Sequence, residues 1–192
     1  NTYTNTMAKF NVDLGLKILH EMDPKEYDLV KPYLSNRSQT DLLIQLTDFS
    51  ENIFIPHVNG EGILPQDDTY LTKDELDIEV YKNHPLVNQI FKEYNLDQIN
   101  ELQVSKQADV LLLMTIFFEK FTLDEIIRNF DYYETRTLHD SSLSLSTHSI
   151  LASLLGNTEL SYDFFKKLIT IDLGKNMYSS DQGIHSASMG GV

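Results

Sequence analysis

"SKQADVLLLMTIFFEK", residues 105–120, decides how this chain is read. Its centre, "VLLLMTIFF" at 110–118, is apolar almost without a break but only about half of the ~20 residues that a membrane span needs. Ser105 is a good N-cap, and the spacing predicts a helix from Lys106 to about Lys120 that is apolar all round and therefore interior. A buried helix needs amphipathic neighbours, and the chain supplies them on both sides.

Upstream, Met7, Phe10, Leu14 and Ile18 form one helical stripe, Asp23–Pro24 opens a second helix, and Ser38 with Asp41 resembles a capping box. That box precedes a third helix with Leu42, Leu46, Phe49 and Ile53 on its buried face. Downstream, Thr122 and Glu125 form a capping box for a helix through Phe130. Ser146 or Thr147 caps the next helix, which buries Ile150, Leu151, Leu154 and Leu155 and stops at Gly156. Thr158 starts another that ends at Gly174, with Leu160, Phe164, Leu168 and Ile171 in register. Between these halves, "IFIPHVNGEGILPQDD" carries two turn dipeptides, so an irregular or β-hairpin insertion is expected near 53–70, with helical signals returning after about Leu86. The class is all-α, built from antiparallel helix pairs.

At 192 residues, one compact domain is the expectation. The 15 Lys and Arg against 29 Asp and Glu give a net charge of −14, with no basic cluster to track a phosphate backbone, so nucleic acid is excluded as a partner. An anionic ligand must be held by a local pocket working against that field. There is no cysteine, hence no disulfide or thiolate metal site, and a cytoplasmic location is expected. The chain opens without Met and without a signal pattern, and it reads as a piece of something longer.

Alternate helices joined by short connections run parallel, so the helices beginning near Lys106, Thr147 and His185 should present their N-termini at one rim. Three segments lie there: "SKQADV" (105–110), "TRTLHDSSLS" (135–144) and "GIHSASMGG" (183–191). Each mixes small hydroxyl residues or Gly with strong hydrogen-bonding groups, as recognition of a polyhydroxylated or phosphorylated ligand requires. Each also has a bland reading: an exposed first turn for Lys106 and Gln107, a turn-and-cap network for the serines, satisfied core histidines at His139 and His148, a loose end for the glycines. No metal-spaced histidine pair, nucleophile elbow or paired carboxylates inside a pocket-like segment are present in the sequence.

The segments "KQADVLLLM", "YYETRTLHDSSLS" with "THSILASLLG", and "SSDQGIHSASMGG" resemble consecutive motifs of glycoside hydrolase family 65, the inverting disaccharide phosphorylases. The likeness extends to "YTNTMAKFN" and "GILPQDDTYL", and so to essentially the whole chain. It implies that residues 1–192 are the later part of one (α/α)6 barrel catalytic domain. Lys106 and Gln107 would hold the glucosyl unit. His185 would lie at the phosphate with Ser188, Gly190 and Gly191 of its turn and Ser141 and Ser142 of the "HDSS" loop. Thr135 and Leu145 stand where the family pattern has Pro, which touches loop rigidity more than chemistry.

The resemblance also accounts for the lack of a second carboxylate, because phosphate itself attacks the anomeric carbon and only a general acid is needed. That acid, a Glu shortly before the "YTN" motif, would fall upstream of Asn1, so the chain alone should be inactive. The implied partners are a disaccharide and inorganic phosphate as co-substrate, with no other cofactor, no metal and no membrane; full-length members are commonly homodimers. Two rivals remain open: a non-catalytic carbohydrate-binding helical module, and a barrel hydrolase using water.

Overall fold

The computed structural model describes residues 1–35, 42–82, 84–173 and 183–191. These are helical, with no strand among the described residues and two isolated bridges, Asp74 with Leu102 and Ser105 with Thr137. The chain divides into two compact units, Asn1–Pro56 and His57–Val192.

The first unit holds α1 (Thr2–Glu21), α2 (Pro24–Ser35) and α3 (Leu42–Asn52). Asn1 caps α1 by accepting from the Thr4 N–H at 3.0 Å, and the Asp23 carboxylate accepts from the Lys25 N–H at 2.9 Å ahead of α2. A polar clasp ties α1 to α3: Lys9 Nζ reaches the Ser50 Oγ at 2.8 Å and the Asp13 carboxylate at 3.1 Å, and the Ser50 hydroxyl donates to Asp13. The apolar stripes are less enclosed than their spacing suggests, for Phe10, Leu14 and Ile18 are 37%, 42% and 50% exposed and Leu42 and Phe49 are exposed too. The capping box expected at Ser38 and Asp41 lies outside the described residues.

The segment from residue 53 to 69, most of it at the start of the second unit, takes the irregular alternative rather than a hairpin. The Asn59 carboxamide oxygen accepts from the N–H groups of Glu61 and Ile63, and Gly62 turns the chain at φ +86°. The helical signals after Leu86 yield only short pieces, α4 (Glu79–Lys82) before them, then a 3-10 turn at Gln89–Lys92 and α5 (Leu96–Asn100). Ile78, Ile90 and Leu138 bury together among Leu76, Tyr81, Tyr94, Ile99 and Val104.

The main core is built by α6 (Asp109–Ile116), α7 (Leu123–Glu134), α8 (Ser144–Leu154) and α9 (Thr158–Ile169), followed by the one-turn α10 (Ser186–Met189). Val110, Leu111, Leu113 and Met114 are all at most 1% exposed, as an interior α6 requires. Its start is three residues later than expected. The Ser105 N–H and C=O are taken by Arg136 and Leu138 at 2.8 and 2.9 Å in a bridge, so Ser105 does not act as cap and Lys106 and Gln107 lie in a bend ahead of the helix. The Thr122–Glu125 capping box is present in full, and α7 runs on past Phe130 to Glu134. Helix α8 begins at Ser144 rather than after Ser146, and of its expected buried residues Ile150 and Leu154 are 43% and 50% exposed. Gly156, at φ +79°, follows its end as expected, and Phe164, Leu168 and Ile171 are buried. The Gly174 stop lies outside the described residues.

Asn129 locks the irregular segment onto α7. Fully buried, it accepts from the Leu64 N–H at 2.9 Å and donates to the carbonyls of Gly62 and Glu125 at 2.9 and 2.8 Å. This fixes the floor under residues 62–70, where Tyr70 and Tyr133 pack with ring centres 5.7 Å apart.

Candidate active site

The bend before α6 and the turn before α8 meet at one place. The Ser141 hydroxyl donates to the Gln107 Oε1 at 2.5 Å, and the Gln107 Nε2 donates to Asp109 at 3.3 Å. Ser141 also organises its own turn, accepting from the Leu143 N–H at 3.2 Å through Oγ and from the Ser144 N–H at 3.1 Å through its carbonyl. Lys106 is exposed beside this junction, and Ser142 is half-buried. Asp140 accepts from the Asn88 N–H at 2.8 Å. Its carboxyl is held above the usual range by burial, against the pull of that N–H and of the Lys106 charge.

Behind the loop sits a buried polar hub that the sequence reading left as ordinary core histidines. Glu134, at the end of α7, meets the Lys82 ammonium at 2.5 Å, His139 Nε2 at 3.2 Å and His148 Nε2 at 3.4 Å. Ser144 serves both rings from the other side, its Oγ 2.9 Å from His139 Nδ1 and its carbonyl 2.9 Å from His148 Nδ1. His139 takes φ +56°, a left-handed conformation costly for a residue with a Cβ, and the bonds to Glu134 and Ser144 hold it there. Burial raises the Glu134 carboxyl but is outweighed by His139, His148 and Lys82, which bring it down to about 2. Burial dominates at His148 and lowers it to about 4; its Nδ1 faces the Ser144 carbonyl, while its buried Nε2 has no hydrogen-bond partner among the described residues.

The ligand atoms of Glu134, His139 and His148 lie within 4.8 Å of one another, a spacing that could take a metal ion. Charge opposes it. Lys82 already neutralises the carboxylate, so a divalent cation would leave two positive charges uncompensated among side chains no more than 17% exposed. The hub is better described as the brace that fixes residues 139–144.

The third segment is organised by a residue that sequence reasoning missed. Asp172 accepts from the His185 backbone N–H at 2.9 Å and faces the His185 Nδ1 at 2.6 Å. No motif flags Asp172, whose pairing depends on how the chain returns after α9. Ser188 is buried at 1% exposure with its hydroxyl unpartnered, whereas Gly190 is exposed. Gly191 packs on the first turn of α8, where a Cβ would stand 2.7 Å from the Ser146 Cβ. The structure thus joins Gln107 with Ser141 and brings Gly191 against Ser146. No hydrogen bond among the described residues links His185 to Lys106, Gln107, Ser141 or Ser142.

The whole chain, residues 1–192, matches the family model for the glycosyl hydrolase family 65 central catalytic domain. It is 36% identical over 193 residues to the kojibiose phosphorylase of Halothermothrix orenii, covering 100% of this chain and 24% of that protein. The alpha,alpha-trehalose phosphorylase of Thermoanaerobacter brockii is 35% identical, with coverage of 100% and 25%. The maltose phosphorylase of Bacillus subtilis is 29% identical, with coverage of 100% and 24%. A solved structure of a human-microbiome protein, provisionally assigned as a kojibiose phosphorylase, superposes with a TM-score of 0.84 at 31% identity, covering 100% of this chain and 26% of that one. The chain spans about a quarter of the length of these relatives.

Proposed function

Because the chain belongs to glycosyl hydrolase family 65, within its central catalytic domain, we propose that it forms part of the active site of an inverting disaccharide phosphorylase. The observation that carries this reading is the hydrogen bond from Ser141 to Gln107, which couples the segment proposed for the sugar to the loop proposed for phosphate. The phosphorylase names of the relatives support it. In this proposal residues 1–192 belong to one (α/α)6 barrel.

Lys106 and Gln107 hold the glucosyl unit of an α-linked disaccharide, Lys106 donating to sugar hydroxyls and Gln107 offering both an acceptor and a donor. Ser141, Ser142, His185 and the 188–191 turn gather inorganic phosphate. A phosphate oxygen attacks the anomeric carbon, the glycosidic C–O bond breaks, and the departing sugar oxygen takes a proton from a general acid outside this chain. Inversion gives β-glucose 1-phosphate and, from a glucosyl-glucose substrate, glucose. No base is needed, because phosphate is already an anionic nucleophile.

The test supplies the full-length protein with kojibiose, maltose, trehalose or nigerose and phosphate, and follows glucose 1-phosphate. Phosphate-dependent release of the β anomer from at least one is expected, and none from residues 1–192 alone. Sugar release at an undiminished rate without phosphate would instead establish a hydrolase. Binding without turnover by the full-length protein would establish a carbohydrate-binding module.

A further inference from the structure

We infer that Asp172 is a positioning residue that fixes the tautomer and direction of the His185 ring, so that Nε2 is the atom offered to phosphate. The inference rests on the proposed phosphate role of His185, but the geometry behind it is independent of that role. A carboxylate only accepts hydrogen bonds, so the 2.6 Å contact with Nδ1 places the ring proton at Nδ1. The second carboxylate oxygen accepts from the backbone N–H of the same residue at 2.9 Å, and this two-point grip sets both the main chain and the ring of His185. Asp172 is the more enclosed partner, its side chain 14% exposed against 33% for His185. With the ring proton at Nδ1, the remaining hydrogen-bonding atom of the ring is Nε2. It meets a phosphate either as a lone pair accepting from a P–OH group or, on a protonated ring, as a donor to a phosphate oxygen. A histidine with the opposite tautomer would turn its lone pair onto the Asp172 carboxylate and lose this bond.

Substitution by Asn separates this role from mere packing. Asn has nearly the shape of Asp, and its oxygen can keep the bond to the His185 N–H. Its NH2 then faces Nδ1 and donates to it, forcing the proton to Nε2. Ala removes the grip but leaves the tautomer free. A packing role makes Asp172→Ala the worse variant, whereas a tautomer role makes Asp172→Asn at least as damaging.

The experiment uses the full-length protein labelled with 15N-histidine, with the His185 signal assigned by its loss in His185→Gln. At a pH where the ring is neutral, Nδ1 should carry the proton in the unsubstituted protein and Nε2 should carry it in Asp172→Asn. The KM for inorganic phosphate should rise on the order of 10–100-fold in Asp172→Asn, the range that loss of an outer partner costs at a metal-ligating histidine. An Nε2–H tautomer in the unsubstituted protein, or an Asp172→Asn variant indistinguishable from it while Asp172→Ala is impaired, overturns the inference. If the tautomers are as stated but added phosphate leaves the His185 signal unmoved, it is the phosphate reading of His185 that falls.

Discussion

Gln107 and Ser141 are 34 residues apart in sequence and share a hydrogen bond of 2.5 Å, so each side chain controls the other's orientation. Under the proposed division of labour their neighbours should fail in different ways. Lys106→Ala should raise the KM for the disaccharide by tenfold or more and spare that for phosphate, while His185→Ala should do the reverse; steady-state kinetics with each substrate varied separately checks this. The two terminal glycines should also differ. Gly191→Ala drives a Cβ to within 2.7 Å of the Ser146 Cβ and must displace the turn from α8, whereas the nearest atom to a Cβ at Gly190 is 3.6 Å away. Thermal unfolding should therefore fall measurably for Gly191→Ala and hardly at all for Gly190→Ala. Lys106, Gln107, Ser141 and His185 were legible as candidates, because they sit in ordered motifs. Glu134, His148 and Asp172 were not, because their roles depend on pairings that close only when the end of α7, the loop after it and the chain after α9 converge.

The four-helix core shows which element signals survive folding. Helix α7 starts where its capping box says, since that signal is local and both of its hydrogen bonds form within four residues. Helix α6 does not, since Ser105 spends its backbone groups on a bridge to the distant segment 136–138, a tertiary demand invisible in "SKQADV". Apolar periodicity located α8 and α9 but overstated burial on α8, because spacing reveals a stripe and not whether anything covers it. Two substitutions test the energetics of α7. Thr122→Ala should cost about 1 kcal/mol through loss of the cap. Asn129→Ala should cost about 3 kcal/mol, because it strands the buried Leu64 N–H and the Gly62 carbonyl. Urea denaturation with an unchanged m-value should report both.

Across the whole molecule, buried tyrosines set an alkaline limit. Burial pushes Tyr70 up to about 12 from 10.0 and pushes Tyr133 higher still, its hydroxyl donating to the Leu64 carbonyl at 2.7 Å. A folded-state value above the unfolded one means that the stabilisation is intact below pH 10 and is lost as pH rises through 12. Each such tyrosine contributes a slope of roughly 1.4 kcal/mol per pH unit in that window. Absorbance at 295 nm should show these two ionising only with the loss of helical circular dichroism. The exposed apolar faces carry another consequence: with Leu29, Tyr33, Ile44 and Phe54 all at least 60% exposed in the first unit, residues 1–192 produced alone should self-associate, and sedimentation showing a monomer at high concentration would count against this. No helix among the described residues is long and apolar enough to cross a membrane.

In the proposed active site the "HDSS" loop and the His185 turn together hold phosphate next to a glucosyl unit held by Lys106 and Gln107. A crystal structure of the full-length protein with inorganic phosphate and glucose tests it most directly. One phosphate is expected within hydrogen-bond distance of His185 Nε2 and of Ser141 or Ser142, with glucose against Lys106 and Gln107. Phosphate bound elsewhere, with the His185 Nε2 and both serines unengaged, would contradict it.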